Sequence, residues 1–162
     1  MKILVFSDSH GNSSRMYDII KSMKDEASLV LFLGDCIKDF SDFEYIYPDI
    51  RFIAVRGNCD FGVDVPDERI AQVCGKKIFM SHGHRYRVKF GHGVIAAEAK
   101  ARGVDICLFG HSHSPVIVNE NGVQLMNPGS ISEPRGASIY PCYGIIEILD
   151  EQQVELRIVE VR

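Results

Sequence analysis

Five short polar clusters, each following an apolar run, hold the side chains best suited to bind metal: Asp8-Ser9-His10, Gly34-Asp35, Gly57-Asn58, Ser81-His82-Gly83-His84 and Gly110-His111-Ser112-His113. Five of the six histidines belong to them. An extended backbone turns residues i and i+2 to the same side, so Asp8 with His10, and His111 with His113, can face one cavity. A single Asp-x-His is weak evidence, because an Asp after a strand often only caps a turn or helix. The conjunction carries more. Nitrogen and oxygen donors at five run ends (Asp8, His10, Asp35, Asn58, His82, His111 and His113) are hard to explain as unrelated caps and core residues.

Seven donors exceed what one tetrahedral zinc takes, and the set contains no thiolate, so it points to a binuclear site of imidazole, carboxylate and amide. One carboxylate can bridge ions roughly 3.5 to 4 Å apart, the usual spacing in two-metal hydrolases. Two divalent ions against two carboxylates leave a local charge of about +2, which would attract phosphate to an acidic chain. The donor set permits manganese, iron, zinc or nickel, with manganese or nickel the candidates for activity.

The elements that must position these donors are legible as apolar patterns. Runs at 3–6, 29–33 and 52–55 read as buried strands, and the first is followed by a helix carrying Met16, Ile19, Ile20 and Met23 on one face, capped by Asn12, Ser13 or Ser14. A hairpin at 69–80 turns at Gly75-Lys76. A helix over 94–102 is stopped by Gly103, and a strand at 106–109 follows it. Runs at 116–118 and 123–126 flank an Asn121-Gly122 turn, and runs at 143–149 and 154–161 complete a β-rich half. This order predicts one α/β domain over 1–162, two mixed sheets packed as a sandwich and flanked by helices.

The chain has 162 residues, 46% of them hydrophobic, enough to bury a core without disulfides. A net charge of −4 argues against a general grip on nucleic acid or anionic lipid. The five cysteines form no C-x-x-C and read as reduced, buried thiols. With only four apolar residues at 3–6 near the start and no run of about 18, neither a signal segment nor a membrane span is expected, and the location by exclusion is cytoplasmic. His92, alone before a helix, reads as a cap or a solvent-facing residue. The oligomeric state is left open, with a homo-dimer or tetramer allowed.

In order and spacing, Asp8-x-His10-Gly11-Asn12, Gly34-Asp35, Gly57-Asn58, His82-Gly83-His84 and Gly110-His111-x-His113 resemble the calcineurin-like metallophosphoesterases. Gly57-Asn58-Cys59-Asp60, Asn127-Pro128-Gly129-Ser130 and Pro134-Arg135-Gly136 resemble the YfcE-type phosphodiesterase branch, to which the retromer subunit Vps29 is related. The resemblance implies a four-layer αββα fold. It implies that Asp8, His10, Asp35 and His113 hold one metal while Asp35, Asn58, His82 and His111 hold the other, and that a hydroxide between the ions attacks a small phosphate ester. Asp35, Asn58 and His84 are the implied catalytic residues, His84 by orienting a ligand. Arg56, Arg85 and Arg135 are candidate phosphate contacts. Cys59 departs from the many relatives that carry His there, which removes a proton donor for the leaving group.

The competing function is a protein-binding scaffold of the retromer-subunit type, which has no need to keep all seven donors. A metallo-β-lactamase-like hydrolase is excluded by the absence of H-x-H-x-D-H, and Rossmann and P-loop binders by the absence of G-x-G-x-x-G and G-x-x-x-x-G-K.

Overall fold

A computed structural model describes residues 1–150 and 153–162, so two positions inside the expected 1–162 domain, 151 and 152, lie outside the described residues. The continuous apolar runs form strands whose alternate side chains feed two different cores. In β1 (Lys2–Phe6), Ile3 and Val5 enter the layer between the sheets, while Leu4 and Phe6 face the helices outside. That two-sided burial is why β1 shows no polar alternation.

After β1 come α1 (Ser14–Met23), β2 (Ala27–Phe32), α2 (Phe43–Ile46), β3 (Arg51–Ala54), β4 (Glu68–Val73), β5 (Lys76–Ser81), α3 (Gly93–Ala101), β6 (Ile106–Leu108), β7 (Val116–Glu120), β8 (Val123–Asn127), β9 (Cys142–Ile148) and β10 (Val154–Glu160). They make two five-stranded mixed sheets, ordered β10-β9-β1-β2-β3 and β4-β5-β6-β8-β7. One apolar cluster lies between the sheets. A second lies under α1 and α2, and a third joins α3 to the outer face of the other sheet. This is the expected sandwich with helices on both outer faces. Within the sheets β1, β2 and β3 run parallel, as do β5, β6 and β8. The carboxyl ends of β1, β2 and β3 therefore share one edge, and those of β5 and β6 share another.

Several local expectations change. Ser13 occupies the cap position of α1 without a capping side-chain bond, and Ser14 Oγ donates instead to Asn12 Oδ1 at 2.7 Å. The β4–β5 turn is Cys74-Gly75, one residue earlier than expected, with φ of 47° and 77° as a tight primed turn requires. α2 and two 3₁₀ turns, Ile37–Asp39 and His84–Tyr86, had no periodic signal because each is at most four residues long. Their support is tertiary: Phe40 stacks on Phe32 with centroids 5.0 Å apart, and Phe43 stacks on Phe52 at 6.2 Å. No described helix is long and apolar enough to cross a membrane.

Candidate metal centre

The segments after β1, β2, β3, β5 and β6 meet where the two sheet edges adjoin. Asp8 N donates to Gly34 O at 3.0 Å and Gly110 N to His82 O at 3.0 Å, joining neighbouring strand ends within each sheet. His82 Nδ1 bonds Leu33 O at 2.8 Å and joins the sheets to each other. The donors converge through a different backbone from the extended one expected. Asp8, His10, Asp35, His111 and His113 all have left-handed φ, of 57°, 45°, 63°, 66° and 59°. L-residues adopt that region at a cost and keep it where surrounding bonds fix it.

Those bonds are present. Ser7 Oγ donates to Asp8 Oδ2 at 2.6 Å and His111 N donates to the same oxygen at 3.1 Å. Asp60, quoted in the sequence only as part of a motif, accepts the N–H groups of Asp35, Cys36, Ile37 and Gly57 at 2.8 to 2.9 Å. Asp39 accepts from Ser9 Oγ and Gly11 N, which bracket His10. The run Asn127-Pro128-Gly129-Ser130 also acquires a role, since Asn127 Nδ2 donates to Gly110 O at 2.9 Å and Ser130 Oγ to Asp8 O at 2.7 Å. Asp60, Asn127 and Ser130 are buried polar residues, and sequence reasoning gave none of them a task. The available signal was a carboxylate three residues after Gly57, placed to close a local turn. Gly57 and Gly110 are required by space: a Cβ on the first would collide with Asp35 and on the second with Ser7 and Asp8.

Three donor groups result, each with its ligand atoms within 4.8 Å of one another: Asp8, His10 and His113; Asp8, Asp35 and His82; and His10, Asp35 and Cys59. His113 Nε2 lies 3.2 Å from Asp8 Oδ1 and 3.1 Å from His10 Nε2, an approach of two ring nitrogens suited to a shared cation. His82 Nε2 is 3.4 Å from Asp35 Oδ2. The His82 and His113 Nδ1 atoms donate to Leu33 O and Glu133 O at 2.8 Å, which leaves both Nε2 atoms unprotonated when neutral and turned inward. Asp8 Oδ1 and His82 Nε2 are buried without a hydrogen-bond partner among the described residues. Buried polar atoms of that kind call for a partner, and a divalent ion fits the donor set.

Electrostatics follow the same geometry. Burial raises the Asp8 pKa, but the adjacent His113 and His82 imidazoles outweigh it and hold the carboxyl below its ordinary value. Asp35 is also driven down, its burial outweighed by His82 and the Cys59 amide. His82 moves up because the two carboxylates overcome its burial. His111, desolvated and beside His82, is pushed down to about 4. The Cys59 thiol is pushed up to about 11 by burial and the Asp35 charge.

The other expected residues sort unevenly. His111 sits against His82 with ring centroids 5.1 Å apart, outside the three groups. His84 lies 5.5 Å from His82 and 6.0 Å from His111 by centroids, with a buried Nδ1 that makes no hydrogen bond among the described residues. Asn58 is exposed, its Nδ2 3.4 Å from Cys59 Sγ. Arg56 and Arg85 are both engaged by Asp67, at 2.8 and 3.0 Å, and Arg135 pairs with Glu133 at 3.3 Å, so the carboxylate partners hold the candidate phosphate contacts. His92 is the cap residue of α3 but makes no side-chain capping bond, and its ring leans on Phe109 instead. The five thiols are free, yet only Cys107 and Cys142 are buried, while Cys59 and Cys74 are exposed.

Comparison with known proteins shows the family and the fold. The chain is 35% identical over 136 residues to the probable metallophosphoesterase YsnB of Bacillus subtilis, covering 83% of this chain and 78% of that protein. Phosphodiesterase YfcE of Escherichia coli K12 is 31% identical over 106 residues, 60% of this chain and 53% of YfcE. The fold superposes on zinc-complexed Vps29 of Entamoeba histolytica with a TM-score of 0.77 over 99% of each chain, at 21% identity, a likeness of fold alone. Residues 1–151 match the calcineurin-like phosphoesterase superfamily domain, and the chain belongs to that superfamily.

Proposed function

We propose that this chain hydrolyses phosphate esters, phosphodiesters above all, at a centre of two divalent ions, with 1–162 acting as one domain. The observation that carries this reading is the position of Asp35. Its Oδ2 is 3.9 Å from His10 Nε2 and 3.4 Å from His82 Nε2, so one carboxylate faces donors of both expected ion sites. In this reading Asp8, His10, Asp35 and His113 hold one ion and Asp35, Asn58, His82 and His111 the other, with manganese the first candidate. Such ions, when bound, supply Lewis acidity, neutralise phosphate charge and lower the pKa of water.

The chain's own work is positional and electrostatic. Asp8 and Asp35 stay ionised at neutral pH, and the backbone carbonyls on His82 and His113 keep those rings oriented. His84, whose Nδ1 makes no hydrogen bond among the described residues, would orient a ligand beside His82 and His111. Position 59 offers no imidazole to protonate the leaving oxygen, which favours esters with good leaving groups. Five free thiols support a reducing compartment such as the cytoplasm.

A scaffold function rests on the likeness to Vps29, and that protein was solved with zinc, so retained donors alone do not separate the readings. Turnover does. Metal-stripped protein re-supplied with each ion should hydrolyse aryl diesters faster than alkyl monoesters, and elemental analysis should find two ions per chain. Saturation at one ion would remove the binuclear reading. Loaded protein inert toward every ester would favour the scaffold.

A further inference from the structure

Cys59 follows the expected ligand Asn58, and the seven-donor set gives it no metal role. The structure nevertheless brings its sulfur into a donor group with His10 and Asp35, all three ligand atoms within 4.8 Å of one another. The three residues come from the segments after β1, β2 and β3, so the grouping is made by the fold and by no local motif. It is also held in place. Cys59 N donates to Asp35 Oδ1 at 2.9 Å, Asn58 Nδ2 donates to Cys59 Sγ at 3.4 Å, and the loop is closed by Gly57 N on Asp60 Oδ2 at 2.8 Å.

We propose that Cys59 is a ligand of the metal centre, supplying with His10 and Asp35 a thiolate face on its solvent side. The inference rests on the reading that divalent ions bind here. On coordination the thiol proton passes to solvent and a sulfur–metal bond forms. A soft thiolate beside imidazole and carboxylate adds more affinity for zinc, cobalt or cadmium than for manganese, which prefers oxygen ligands. The centre therefore selects thiophilic ions more strongly than its nitrogen and oxygen donors alone would.

The test uses the full, metal-stripped chain and Cys59→Ser, which keeps a hydrogen-bond donor toward Asp35 but is a poor ligand for soft ions. Wild-type protein loaded with Co²⁺ should show sulfur-to-cobalt charge-transfer absorption in the near ultraviolet, and Cys59→Ser should lose it while both keep the visible cobalt bands. Cadmium affinity measured by competition should fall by at least about 10-fold in Cys59→Ser with manganese affinity nearly unchanged, a split that loss of an outer orienting partner, which weakens both ions alike, would not give. Cadmium and manganese weakened alike would reduce Cys59 to an orienting partner of Asp35, and equal cadmium affinities in the two proteins would give it no role in binding; either overturns the proposal. Cobalt bound with visible bands but no charge-transfer absorption in the wild type would refute the thiolate and leave the metal centre standing. No cobalt uptake would remove both.

Discussion

Asp8 and His113, carried by different sheets, meet with Oδ1 3.2 Å from Nε2. The other oxygen of Asp8 is taken by Ser7 Oγ and His111 N, so the carboxylate is fixed at one end and free to accept a cation at the other. The centre is thus a seam between the sheets, and what holds the seam closed decides whether metal binds.

Gly110→Ala tests the seam directly. A Cβ there would collide with Ser7 Oγ and lie 2.8 Å from Asp8 Oδ2. The backbone at Gly110 is outside the left-handed region, so the cost comes from crowding alone. Stability should fall by about 1 to 3 kcal/mol, the usual price of overpacking, and metal affinity by about 10- to 100-fold. Chemical denaturation of metal-free protein and calorimetric titration separate the two effects. An alanine variant with wild-type metal affinity would mean that the Asp8 position is not set by this contact.

Asp35→Asn removes one negative charge from the carboxylate that faces both His10 and His82. Turnover should fall steeply and bound metal should drop below two per chain, an effect larger than the loss of metal-free stability, which is confined to the charge pairing with His82. The last point follows because the Asn oxygen still accepts from Cys59 N, a bond of 2.9 Å in the wild type. Full metal content with wild-type turnover would exclude Asp35 from the bridging position.

Much of this was legible from the sequence because the strands are buried on both faces. Ile3 to Phe6 are all fully buried, so the run is continuous and the polar residue that ends it stands out. The same logic marks Asp35, His82 and His111. The conformation that makes those donors converge left no such trace. Asp8 reaches its left-handed φ with help from Ser130 Oγ, a partner 122 residues away. The pairing of Arg56 and Arg85 with Asp67 was invisible for the same reason, since Asp67 is 11 and 18 residues distant from them.

Asp60 should behave as a structural hub of the centre. Its carboxylate serves four backbone N–H groups, and Asp60→Ala would leave them without that acceptor; the three whose bonds are buried, those of Asp35, Ile37 and Gly57, cost about 3 kcal/mol or more at about 1 to 3 each. Asp60→Asn retains one oxygen, and with it two of the four bonds, and should cost roughly half as much. Metal affinity should fall in the same order, because the Gly34–Asp35 and Gly57–Cys59 segments are both tied to this side chain. Denaturation midpoints for the two variants that coincide with wild type would refute the hub.

The histidines predict an unusual pH profile for the metal-free protein. His111 is pushed down to about 4, so between about 4 and its ordinary 6.5 the unfolded chain binds a proton that the folded chain does not. Stability must then fall as pH drops through that window. His84, also lowered by burial and the His82 charge, acts in the same direction. His82 does the reverse. Burial lowers it, but Asp35 and Asp8 raise it above 6.5 on balance, so its contribution is complete below 6.5 and is lost as pH rises through the folded value. Together these place a stability maximum near pH 6.5 in the metal-free state. Replacing His111 with Asn should flatten the acid side without moving the alkaline side. Bound metal should abolish the alkaline loss, because a cation displaces the His82 proton and takes over its interaction with the carboxylates. Urea denaturation of stripped and loaded protein across pH 4 to 9 measures both limbs. A stripped protein whose stability keeps rising from pH 6.5 to 9 would show that His82 does not hold a proton between Asp8 and Asp35.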